Sequence, residues 1–242
     1  MKNWIRFLTG SKVTFFNLRG DLSEISPNHS FSYSRSAAIF LDNTPSINLS
    51  LTLEKTLIPV FYQLLSKGFI INIRTGCTIK ELLCGQIGIK DGYLEERIQT
   101  IFLDYKTVDD VDLSFIQKGS TLALSAAMPG VLGATVRKGG WYAPMRRQIS
   151  HDKDISSDLY KKGEVTIKLF NLIAKELGPL FFEQGILVNG KDFFDFTTRN
   201  KKVFMKGCKK AVKDSNEIDP EKLMEVEWEG KGVLLRIKSA KV

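Results

Sequence analysis

Three observations predict an α+β fold for this 242-residue chain. Residues 46 to 53 alternate Ile47, Leu49, Leu51 and Leu53 with Asn48, Ser50 and Thr52, the period of two that marks a half-buried strand. Residues 57 to 65 place Leu57, Val60, Phe61, Leu64 and Leu65 on one stripe, the spacing of an amphipathic helix. From Gly76 to Gly140 the chain reads as a short amphipathic helix, a strand and turn, a polar crossing, and a second apolar strand that runs into a glycine-rich basic loop.

Taken in order, Val13 to Phe16 and Ala37 to Leu41 are short apolar runs separated by a polar, serine-rich loop, which gives residues 1–45 a β-rich character. Asn43-Thr44-Pro45 marks a turn before the alternating strand. Pro59 falls in the first helical turn, where its missing N–H is harmless, and Gly68 stops the helix. Phe69 to Ile73 resumes a strand. Thr78 is an N-cap candidate with Glu81 three residues on, the capping-box spacing. Val165 to Phe182 reads either as a helix kinked at Gly178-Pro179 or as a strand leading into one. Ile186 to Val188 followed by Asn189-Gly190 predicts a strand and a tight turn. Glu225 to Trp228 and Val233 to Ile237 predict a hairpin. The polar stretch from Ser150 to Gly163 reads as a linker or surface loop. The expected division is 1–45, 46–140 and 141–242.

Composition excludes several classes. Hydrophobic residues at 43% and charged residues at 26% are those of a globular chain, so global disorder is not expected. No apolar run reaches the roughly 18 residues that span a bilayer; the longest candidate, Leu57 to Ile73, is broken by Pro59, Lys67 and Gly68. The N-terminus lacks the pattern of a signal peptide. Three cysteines, Cys77, Cys84 and Cys208, fit no zinc spacing and suit a reducing cytoplasm. The expectation is a cytoplasmic protein without membrane contact. A net charge of +8 permits phosphate, nucleic acid or acidic protein partners, and its densest part, Lys201 to Lys213, reads as a solvated surface.

Three segments carry a resemblance. Gly76-Cys77-Thr78-Ile79-Lys80-Glu81-Leu82-Leu83 resembles the segment that opens the helix in sulfur carriers of the ThiS/MoaD type. Thr100 to Val108 is similar to their central strand and turn, and Lys118 to Leu124 to the turn before their last strand. The resemblance implies a ubiquitin-like β-grasp unit over residues 46–140, with N-terminal strands and a C-terminal α+β extension. It also implies a protein that acts by docking to a protein partner rather than by catalysis, in sulfur transfer or cofactor assembly. Carriers of this type work through a terminal Gly-Gly whose carboxylate is adenylated and converted to a thiocarboxylate. Gly139-Gly140 resembles that tail, but Trp141 and further residues follow, so carrier chemistry would require cleavage after Gly140.

The loop from Ala126 to Arg147 is the expected functional surface. Gly130, Gly133, Gly139 and Gly140 stand beside Arg137, Lys138, Arg146 and Arg147, with Trp141 and Tyr142 among them. The residues expected to meet a partner or an anion are Gly133, Arg137, Lys138, Gly139, Gly140, Trp141, Arg146 and Arg147. A second reading is an RNA- or phosphate-binding module, in which backbone N–H groups and cations hold an anion and the aromatic rings stack on bases. The P-loop and dinucleotide spacings are both absent. Catalysis has little material: His29 and His151 are the only histidines, and Ser125 lacks a nucleophile elbow. Asp109, Asp110 and Asp112 could hold a cation, but the simpler reading is turn capping. Cys77 near a helix N-terminus could be activated, or simply buried. No cofactor or metal is expected.

Overall fold

The computed structural model of the protein describes residues 4–9, 12–17, 47–144, 146 and 160–240, with side chains from residue 47 onward. The predicted strand at Ala37 to Leu41, together with His29, His151 and Arg147, lies outside these residues. The chain divides into two units, Met1–Ala37 and Ala38–Val242. In the first, β1 (Trp4–Thr9) and β2 (Lys12–Asn17) form an antiparallel hairpin with Trp4 opposite Asn17.

The second unit is an α+β structure around one large mixed sheet. β3 (Ile47–Leu53) leads through α1 (Ile58–Lys67) into β4 (Phe69–Thr75). Gly68 ends α1 at φ +119°, a conformation that suits glycine, and a Cβ there would lie 3.1 Å from Thr166. A short β5 (Cys77–Thr78) pairs with β8 (Phe115–Ile116). The capping box forms: the Thr78 N–H donates to Glu81 Oε2 at 2.9 Å and the Glu81 N–H to Thr78 Oγ1 at 3.1 Å. The helical segment it introduces is π-helical over Glu81–Ile87, and α2 (Asp91–Glu96) follows.

β6 (Thr100–Leu103) turns tightly into β7 (Lys106–Thr107) through Asp104 and Tyr105, both at positive φ, the geometry that matches the twist of a two-residue hairpin. Asp104 also accepts from the Thr121 N–H at 2.7 Å and from the Ser120 hydroxyl at 3.0 Å, which ties this turn to the start of β9 (Thr121–Ser125). A short α3 (Gly130–Thr135) follows β9.

The region from Val165 onward resolves as a strand and then a helix: β10 (Lys161–Leu169) and α4 (Asn171–Gln184). Gly178-Pro179 lies inside α4 without ending it. A Cβ on Gly178 would stand 2.8 Å from both Leu65 and Tyr62, so the missing side chain lets α1 and α4 pack closely. β11 (Ile186–Asn189) then enters α5 (Gly190–Arg199), α6 (Lys201–Gly207), β12 (Cys208–Lys213) and β13 (Asn216–Ile218), with β14 (Gly232–Ser239) last.

Two sequence expectations need correction. Asn189-Gly190 is a helix start, not a hairpin turn: Asn189 Oδ1 accepts from the Lys191 N–H at 2.9 Å. Gly190 passes so near Trp228 that a Cβ would lie 2.2 Å from its carbonyl oxygen. Nor do Glu225 to Trp228 form a strand with β14. Trp228 is buried, donates from its indole to the Leu223 carbonyl at 2.9 Å and packs on Phe193 at 5.0 Å. Anchoring that ring in the core directs the segment away from β14, which pairs with β3 and β11 instead.

Among the described residues the sheet has ten strands in the order β13-β12-β3-β14-β11-β4-β10-β9-β6-β7. The β3–β14 and β10–β9 pairs are parallel, and the others are antiparallel. Register puts Leu49, Leu235, Ile186, Phe69, Ile167, Leu122 and Leu103 on one face, all buried in a core shared with Phe61, Phe181 and Phe182. Each such side chain contributes about 1.5–3 kcal/mol on burial. Residues 46–140 and 141–242 share this sheet, since β10 lies between β4 and β9. No helix among the described residues is long and apolar enough to cross a membrane.

Candidate functional site

The segment that leaves β9 folds back over the edge of the sheet and is bolted there. Gly130 takes φ +80°, and Gly133 passes so close to residue 128 that a Cβ would stand 2.0 Å from the Met128 carbonyl oxygen. The Lys138 N–H donates to the Gln99 carbonyl at 2.8 Å, and the Gly139 N–H to Asp109 Oδ1 at 2.9 Å. Gly139 has φ +59°, while the Gly140 N–H closes a turn onto the Arg137 carbonyl at 3.1 Å.

Arg146 is the bolt. It is 5% exposed, and its guanidinium reaches Asp109 with Nη1 2.9 Å from Oδ2 and Nη2 2.5 Å from Oδ1. Nη1 also donates to Thr107 Oγ1 at 2.7 Å, Nη2 to the Arg137 carbonyl at 3.1 Å, and Nε to the Thr135 carbonyl. A planar guanidinium with five donors can satisfy all of these at once, which lysine could not do. One side chain therefore joins β7, the acidic turn, α3 and the diglycine turn.

Arg137 and Lys138 are also engaged. Lys138 donates to the Leu94 carbonyl at 3.0 Å, and burial pulls its ammonium pKa below the ordinary lysine value, partly opposed by Glu95. Arg137 Nε donates to Gln99 Oε1 at 2.9 Å. Beside the exposed Arg137 the segment presents apolar side chains outward: Trp141 is 91% exposed, Val131 81% and Leu132 70%, with Tyr142 also exposed. A set of large exposed apolar side chains within one short segment suits an interaction site. The structure thus brings Gly133, Arg137, Lys138, Gly139, Gly140, Trp141 and Arg146 together, with Arg146 turned inward and Trp141 outward.

The other candidates resolve as follows. Asp110 Oδ1 accepts from the N–H groups of Asp112 and Leu113 at 3.0 and 3.1 Å, a turn cap. Asp112 pairs with Lys80 at 3.4 Å. Among the described residues no cluster of histidine, cysteine and carboxylate side chains could hold a metal. Cys77 is fully buried, and burial, with the Glu81 charge behind it, pushes its thiol up to about 11. The lysine-rich C-terminal region is partly paired, with Lys209 on Glu54 at 2.5 Å and Lys210 on Glu217 at 2.6 Å.

One feature near this segment is not among the sequence expectations. On the face of the sheet opposite the buried leucines, β6, β9 and β10 form a groove of about 450 Å³. Phe102, Thr121 and Ala123 supply its floor, and Tyr105, Met128 and Phe170 border it. Only the pairing of β10 with β9 assembles it. The alternation of Thr121 and Ala123 with Leu122 and Leu124 was the available hint that β9 has a second, thinly covered face.

Comparison with known protein families, curated proteins and solved structures returns no match for this chain.

Proposed function

We propose that this chain is a non-catalytic β-grasp protein that works by docking a protein partner through the bolted segment after β9. The observation that carries the reading is the outward apolar set Val131, Leu132, Trp141 and Tyr142, held on a backbone that Arg146 and Asp109 fasten to the sheet. A surface fixed before binding loses little conformational entropy when a partner arrives.

The strand order supports the β-grasp assignment. β4-β10-β9-β6-β7 has the order and relative directions of a β-grasp sheet, with a parallel central pair and a helical segment between β4 and β6. The strand in the first position, β10, follows the others in sequence, so the unit reads as a circularly permuted β-grasp. In that frame β9 is the last strand, and the docking segment leaves the sheet where sulfur carriers present their tail. This resemblance makes sulfur transfer or cofactor assembly the proposed setting. The engagement of Lys138 and Arg146 with groups of the fold itself favours a protein partner over a phosphate or RNA.

A photo-crosslinking residue placed at 132 or 141, and at the exposed Glu227 as control, tests this in native cells. A discrete protein adduct from 132 and 141 but not from 227 is expected, and the adduct from 132 should be lost when Trp141→Ser is added. Equal adducts from all three positions, or an adduct consisting of nucleic acid, would overturn the proposal.

A further inference from the structure

The groove on the β6–β9–β10 face has the features of a ligand site. Its volume of about 450 Å³ falls in the range of small-molecule pockets. The lining is apolar along most of its length and contains no carboxylate. Lys168 is its one cation. Its Cγ and Cε would lie 3.4 and 3.2 Å from a Cβ on Gly68, so the stem runs along that glycine. Among the described residues its ammonium makes no hydrogen bond or ion pair.

Polar groups gather at the end of the groove near Asn171. Asn171 Nδ2 donates to Ser125 Oγ at 3.0 Å, which leaves the serine hydroxyl hydrogen for another acceptor. Across the β6–β9 pair from Ser125 stands Thr100, on the same face, wholly buried, with its Oγ1 unpartnered. Thr100 is not among the lining residues, so Ser125 and Asn171 are the polar groups this corner offers a ligand. Asn171 also opens α4, whose first turn has neither a side-chain cap nor an acidic residue, so the positive end of the helix is not neutralised. The nearest turn carboxylate, Asp104, is engaged with Thr121 and Ser120.

An apolar trough with a serine hydroxyl, an amide and a helix N-terminus at one end, a cation on β10 opposite Ala123, and no negative charge in its lining is complementary to an amphipathic anion. We infer that the groove binds a small amphipathic carboxylic acid, its apolar body along Phe102 and Ala123 and its carboxylate at Lys168 and the Ser125–Asn171 corner. This inference does not depend on the docking proposal, since Val131, Leu132, Trp141 and Tyr142 do not line the groove, although Met128 of the same segment does.

The test is titration of the full chain with decanoate and 3-phenylpropanoate by calorimetry, with decylamine as the charge-reversed control. Saturable one-to-one binding of at least one acid is expected, with the amine binding more weakly. Lys168→Gln should weaken that binding about tenfold or more. Ala123→Leu, which fills the floor, should abolish it. Thermal midpoints monitor folding, and Lys168→Gln, at a half-buried position, decides the matter if Ala123→Leu does not fold. Absence of saturable binding by both acids, or equal binding by the wild type and Lys168→Gln, would overturn the inference, as would decylamine binding as tightly as decanoate.

Discussion

Arg146 meets Asp109 through two hydrogen bonds while almost buried, and so clamps a chain segment that leaves the sheet at β9 back onto its edge at β7. A charge buried this deeply is stable only with its partner in place, because removing one member strands the other. Arg146→Ala should therefore lower stability by about 2 kcal/mol or more. The protection of the Lys138 and Gly139 amides against hydrogen exchange should fall with it. Arg146→Lys should recover only part of the loss, since an ammonium cannot serve Asp109, Thr107 and two carbonyls together. Unchanged exchange at residues 138 and 139 in Arg146→Ala would show that the segment does not need the bolt.

Gly133 and Gly130 offer a contrast within one short helix. A methyl group at 133 would meet the Met128 backbone at 2.0 Å, whereas at 130 it meets open space but sits at φ +80°. Gly133→Ala should displace α3 and cost about 1–3 kcal/mol, the range for forced overpacking. Gly130→Ala should cost about 1–2 kcal/mol from backbone strain alone, with α3 left in place. Denaturant unfolding gives both costs, and the chemical shifts of Val131 and Leu132 report whether α3 has moved.

The capping box at Thr78 and Glu81 begins the π-helical segment. Thr78→Ala should cost about 1 kcal/mol. Glu81→Gln should cost less, because an amide oxygen still accepts from the Thr78 N–H. Thermal denaturation of the two variants provides the ordering.

Burial raises the thiols of Cys77 and Cys208 to about 11 and that of Cys84 to about 12. At pH 8 a thiol with a pKa of 11 is about one part in a thousand thiolate, so alkylation by iodoacetamide should be slow until the chain unfolds. The linkage has a definite sign. A thiol whose pKa is raised on folding keeps its proton more firmly in the native state. Its contribution is complete below the unfolded value and is lost as pH rises toward the folded one. For Cys77 and Cys208 that window runs from about 9 to about 11. Cys208→Ala should make the midpoint fall less steeply across this range than it does in the wild type. Rapid labelling of native protein at pH 8 would count against the buried assignment.

The sequence by itself determined the local units. The alternation in Ile47 to Leu53 specifies a strand, the stripe from Leu57 to Leu65 a helix, and Thr78 with Glu81 a cap, because each depends on neighbours a few residues away. Tertiary structure decided what those units join. β10 enters between β4 and β9, although residues 126–160 separate β9 from β10, and β14 inserts between β3 and β11 rather than folding back in a hairpin. Strand pairing between distant segments follows from which apolar faces can be buried together, and no local pattern records it. The same holds for the site. Arg146 and Trp141 look equally available in the linear chain, yet one is buried against Asp109 and the other stands in solvent, since only the folded chain brings a carboxylate to one and not to the other.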